Sequence, residues 1–190
     1  MVPPDQPSTE SAKLWESVVL IEFIADLRPS AGLLPADPDV CAFARLLVIR
    51  AHETLHAAFR AFFFRGERAE AVLPLLEAFQ ELLAPAPGYA AGPFSLADTV
   101  VAPMLVRFVR LAGYEIGKYP VGEGKKLLRH LAEPRFARLM AYYELLWARP
   151  SIQATWDEVS ALLLIARTVP FPLGGGRPRA AWAMGCVVMR

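Results

Sequence analysis

The sequence predicts a mainly α protein, on three observations. Phe43, Leu47, Ala51, Leu55 and Phe59 form one i, i+4 apolar row, and Leu76, Phe79 and Leu83 form another. Between residues 39 and 166 no strand-like alternation of apolar and polar residues competes with that period. Segments rich in proline and glycine, at 29–38 and 84–93, divide the periodic stretches as connections would.

The elements follow in order. Residues 1–11 carry Pro3, Pro4 and Pro7 among serines and a threonine, which predicts an extended arm. Ala12 to Trp15 is a short candidate strand. Ser17 stands where an N-cap would precede the row Leu20, Ile24 and Leu27, and Pro29 should stop that helix near Arg28. The connection 29–38 is the expected domain boundary. Gly66 ends the long helix after it, and Pro74 is read as the start of the next, since an interior proline costs roughly 3 kcal/mol.

Beyond the turn at 84–93, Ser95 with Asp98 three residues on has the spacing of a capping box. The stripe Val100, Met104, Phe108 and Leu111 around Pro103 then predicts a buried, bent helix. A loop at 114–124 precedes a short helix near 125–131. Next comes a helix over 134–148 with Phe136, Met140, Tyr143 and Trp147 inward. Ser151 is the expected N-cap of a last helix to Ala166, with Ile152, Trp156, Val159 and Leu163 inward. Four arginines without an acid mark an irregular basic tail at 167–190, and they leave residues 1–166 with 16 basic against 19 acidic residues.

Composition excludes whole classes of function. A net charge of +1, with no zinc-finger spacing or basic tract, gives no field to hold a nucleic acid backbone. With 55% apolar residues the chain is rich in hydrophobic surface, but charges such as Arg45, Arg50 and Glu53 interrupt every apolar run, so no transmembrane segment is expected. The excess suggests faces covered by a dimer partner or a further domain. Two distant cysteines, Cys41 and Cys186, without an N-terminal leader pattern, point to the cytoplasm.

Two clusters suggest chemistry. His52-Glu53-Thr54-Leu55-His56 satisfies the spacing H-E-x-x-H, but no third ligand is suggested downstream, and the pair is read as helix-face or pocket histidines with no metal. Trp15-Glu16-Ser17 at a turn into a helix offers free N–H groups and a hydroxyl for a carboxylate, and Glu16 for an ammonium, which suits the zwitterionic end of a peptide.

The chain resembles the soluble glutathione transferases, particularly omega-like proteins of fungal type, over residues 12–166. Four blocks carry the resemblance: Trp15 to Val19 with Glu22 to Leu27, Gly32 to Pro38, Phe94 to Asp98 with Ala102-Pro103, and Arg149 to Trp156. The resemblance implies a helical bundle like the family's C-terminal domain, at 39–166, preceded at 1–28 by a strand and helix remaining from the thioredoxin-like lobe. It implies that Glu16 and Ser17 grip the γ-glutamyl end of glutathione, and that Ser95 and Asp98 form the family's structural capping box. His52, His56, Phe59 and Tyr114 are the expected second-substrate pocket.

Glutathione is the expected substrate, with a small apolar electrophile or a disulfide as its partner, in a cytoplasmic homodimer engaged in detoxification. The family's catalytic Cys, Ser or Tyr, at the start of the thioredoxin-like lobe, has no counterpart among these residues, so the chain is expected to be a partial enzyme. Val2-Pro3 stands near the place of the family's cis-proline turn, but Pro4-Asp5-Gln6-Pro7 cannot continue a strand, so this segment is read as a loop. Two alternatives stay open. One is a non-catalytic interaction or dimerisation module of the same fold. The other is a carrier holding an apolar ligand among Phe59, Phe62, Phe63, Tyr114 and Trp147.

Overall fold

The computed structural model describes residues 14–157. The expectations for the arm at 1–11, for Val2-Pro3, for residues 158–166 of the last helix and for the tail at 167–190 lie outside them. The described chain is helical, with α1 (Ser17–Leu27), α2 (Pro38–Ala51), α3 (Ala57–Phe59), α4 (Ala69–Gln80), α5 (Leu96–Gly113), α6 (Glu123–Leu131), α7 (Ala137–Trp147) and α8 (Pro150–Thr155). Two π-helical segments, His52–His56 and Arg60–Phe64, flank α3, so the chain stays helical from the start of α2 to Phe64.

The mainly α class holds, and Leu14 and Trp15 are the part of the candidate strand at 12–15 that falls among the described residues. Leu14 and Trp15 lie outside any strand, and the only β contact among the described residues is an isolated bridge between Tyr89 and Gly92. A lone strand has no neighbour for its backbone groups and is not stable by itself.

Helix α5 is the axis of the bundle, packed against α1, α2, α6 and α7. Phe108 and Leu111 of the expected stripe are buried along this contact with Leu96, Val101, Leu105 and Ala112, whereas Val100 and Met104 stand at the edge. Pro103 sits on the solvent side within an unbroken helix. In α2 the expected row largely holds, with Leu47, Ala51 and Leu55 buried. The widened π turns then bring Phe62 and Phe63 inward, where Phe62 stacks on Tyr119 at 4.1 Å and Phe63 meets Phe108 edge-on at 5.5 Å.

Three boundaries and one buried face differ from the sequence expectation. Ser17 is the first helical residue of α1, and Glu16 takes the N-cap place. Helix α4 starts at Ala69, with Pro74 inside it. The start is held by a distant group, because the Glu123 carboxylate accepts the Ala69 N–H at 2.7 Å. Phe136 and Tyr143 are buried as expected, but helix α7 also buries Leu139, Tyr142 and Leu146 and leaves Met140 and Trp147 half-buried. Helix α8 is capped by Arg149 with Pro150 in its first turn, and it ends at Thr155 because Trp156 turns extended.

Two glycines allow close approach. Gly66 adopts φ +74°, and a Cβ there would lie 2.7 Å from the Lys118 carbonyl oxygen. A Cβ on Gly124 would lie 2.3 Å from the Ala112 carbonyl oxygen, so α5 and α6 are in contact through backbone. Gly124→Ala must push these helices apart, and a loss of about 2 kcal/mol is expected from overpacking. An unchanged melting temperature would show that α6 yields without cost.

Candidate functional site

The geometry of the site begins at Asp98, which is fully buried in the first turn of α5. Its Oδ2 accepts from the Ser95 N–H at 2.8 Å and the Ser95 hydroxyl at 3.1 Å. Its Oδ1 accepts from the Ala90 N–H at 2.9 Å and the Tyr142 hydroxyl at 2.7 Å. One carboxylate thus ties together the α5 N-terminus, the preceding loop and α7. Burial, and after it the Asp98 charge, pushes the Tyr142 phenol well above its ordinary pKa.

Helix α7 presents Arg138 one turn before Tyr142. Its guanidinium donates to the carbonyl oxygens of Ala84 at 2.8 Å, Gly88 at 3.0 Å and Tyr89 at 3.3 Å. The loop also closes on itself through the Ala84 N–H and the Ala90 carbonyl at 2.9 Å. Phe94, at the end of this loop, lies under the Arg149 guanidinium at 3.6 Å. Arg149 also donates to the Tyr89 hydroxyl at 3.2 Å.

Beside this assembly opens a cavity of about 420 Å³. Leu33 and Phe94 line one end, Val106 and Arg107 of α5 one wall, and Ile152 and Trp156 the other. The Leu96 N–H donates to the Leu33 carbonyl at 2.7 Å, which binds the connection to the start of α5. Trp156 packs edge-on against Trp147 at 6.0 Å, and its buried indole N–H has no acceptor among the described residues. The lining is mostly apolar, with the exposed Arg107 as its cation. Such a cavity suits a flat apolar ligand that carries an acceptor or a negative charge.

Glu16 and Ser17 are exposed at the open end of α1, where no side chain caps the first turn. Glu16 holds φ +74°, a strained conformation for a residue with a Cβ. His52 is exposed and His56 half-buried, Phe59 packs on Phe63 at 4.6 Å, and Tyr114 is exposed at the end of α5. None of these four lines the cavity.

Sequence reasoning missed Tyr142, Arg138, Arg107 and the role of Phe94. Arg107 had a visible signal, because it is the only charged residue between Asp98 and Arg110. Among the described residues no group of three or more His, Cys, Asp or Glu side chains is placed to hold a metal, and no helix is long and apolar enough to cross a membrane.

The family model for the glutathione S-transferase C-terminal domain matches residues 50–145. Glutathione transferase Omega 1C from Trametes versicolor is similar at 44% identity and TM-score 0.80, over 88% of this chain and 70% of that one. Omega 2S from the same fungus, solved with 2,4-dihydroxybenzophenone, is 42% identical over 89% of this chain and 73% of its own, with TM-score 0.78. Omega 2C, also from that fungus, gives 41%, 88%, 72% and 0.79. No match was found among curated proteins.

Removal of the buried carboxylate strands four donors. Asp98→Ala is expected to lose about 3 kcal/mol, and Tyr142→Phe about 1.5 kcal/mol, in chemical denaturation. The raised phenol has a pH consequence of definite sign. Above about pH 10 the unfolded chain releases the Tyr142 proton while the folded chain keeps it, so stability falls as pH rises. Tyr142→Phe should flatten part of that alkaline loss, and an identical slope in the variant would contradict it.

Proposed function

We propose, for a chain that belongs to the glutathione transferase family, that the cavity beside α5 and α8 holds an aromatic second substrate. In the same reading Glu16 and Ser17 grip the γ-glutamyl end of glutathione. The reaction such binding serves is a conjugation, or a glutathione-dependent thiol transfer, in which a glutathione thiolate attacks the electrophile or disulfide, and the catalytic Cys, Ser or Tyr for it has no counterpart among these residues. The observation that carries the reading is the cavity itself, with its apolar walls, the rings of Phe94 and Trp156 and the cation of Arg107. The complex of the Omega 2S relative with 2,4-dihydroxybenzophenone supports it, since that ligand joins two flat rings to hydroxyl and carbonyl oxygens.

For the glutathione end, the support is the open first turn of α1 and the strain at Glu16. A helix N-terminus favours a carboxylate, and the Ser17 hydroxyl adds a donor. Strained residues persist where the surroundings require a side chain or carbonyl in one place. The connection at 29–38 is then the boundary between the glutathione-binding part and the helical domain.

A second reading, a non-catalytic interaction module, is favoured by one face of the molecule. Trp15 is 73% exposed, and Val19, Phe23, Ile24 and Leu27 stand exposed on α1. Such a face calls for a covering surface.

Calorimetry separates the readings. Glutathione should bind the chain saturably and lose that binding in Ser17→Ala; no heat at millimolar glutathione would favour the interaction module. In the other arm, 2,4-dihydroxybenzophenone should bind, and Arg107→Ala and Trp156→Phe should each weaken it about tenfold. Equal affinity in both variants would move the ligand out of this cavity.

A further inference from the structure

His52 and His56 take no part in the cavity, and their position suggests a chemistry of its own. They stand at the two ends of one π-helical segment. A π turn is wider than an α turn, so the fourth residue along lies more nearly above the first. Their rings lie 4.5 Å apart between centroids, tilted by 33°. His52 is open to solvent and His56 is half-buried. A neutral imidazole offers a nitrogen lone pair, the donor that borderline divalent cations prefer.

The surroundings fix the number of ligands. Glu53 lies between the two histidines in sequence, but its Oε2 accepts from the Arg50 guanidinium at 2.7 Å. His130, the third histidine, bonds Glu133 through Nδ1 at 2.7 Å, far along the chain on α6. We propose that His52 and His56 form a two-nitrogen chelate for a borderline divalent cation, Cu²⁺, Ni²⁺ or Zn²⁺, on the open face of the π turn. The remaining coordination positions face solvent and take water, so the site is weaker than a closed structural centre of four protein ligands. Copper binds tightest in this series, and hard cations such as Mg²⁺, which require oxygen ligands, are refused. The bound ion ties residues 52 and 56 together and stabilises the π turn. This site is independent of the glutathione reading and is unaffected if that reading fails.

Titration of the full chain with Ni²⁺ tests it by calorimetry. The chain should bind one Ni²⁺ that excess Mg²⁺ does not displace, and binding should weaken at least about tenfold in His52→Ala and in His56→Asn. His130→Ala should bind as the parent does. His52 is exposed, so its variant is expected to melt as the parent does without metal, which separates lost binding from lost folding. No Ni²⁺ binding by the parent, or equal binding by the parent and His52→Ala, would overturn the proposal.

Discussion

A single buried carboxylate organises the helical domain. Ionised Asp98 in a dry interior would cost several kcal/mol if left unpaired. Here it accepts from two backbone N–H groups and two hydroxyls, drawn from the loop at 84–93, from Ser95 and from α7. Charge-assisted hydrogen bonds are stronger than neutral ones, and four of them on two oxygens leave no acceptor unused. The constraint works in both directions. Asp98 needs its donors, and each donor is buried where only Asp98 can satisfy it.

The rest of the architecture follows from that dependence. Helix α7 docks with Tyr142 toward α5, and Arg138, one turn away, then reaches three carbonyls of the loop. Because the loop is held at Ala84, Gly88, Tyr89 and Ala90, its exit delivers Phe94 to the cavity mouth beneath Arg149. The start of α5 in turn holds Leu33 through the Leu96 N–H. Leu33 and Phe94, at one end of the cavity, are therefore positioned by polar contacts of the surrounding chain. Ile152 and Trp156 come from α8 and the residue after it, with Trp147 packed on the Trp156 ring.

Periodicity made the helices legible, because it records burial that a helix cannot avoid. The rows through Leu47, Ala51 and Leu55, and through Leu76, Phe79 and Leu83, are buried in the structure. Local chemistry was less informative where a distant group decides the outcome. Nothing near Ala69 in sequence announces that Glu123 will cap its helix, so Pro74 looked like a start. Met140 and Trp147 matched the inward period of α7 as well as Leu139 and Leu146 do. The choice between those faces was made by Tyr142, which had to meet Asp98. The cavity was hidden for the same reason. Leu33, Phe94, Val106 and Trp156 lie far apart in the chain and meet only after α5 and α8 have packed.

The most direct test of this dependence is native-state hydrogen exchange at the Ala90 and Ser95 amides, whose acceptor is Asp98. The account predicts that both exchange only with global unfolding, as slowly as the amides at the centre of α5. Fast exchange of either amide through a local opening, with the centre of α5 still protected, would show that the carboxylate decorates the bundle instead of holding it together.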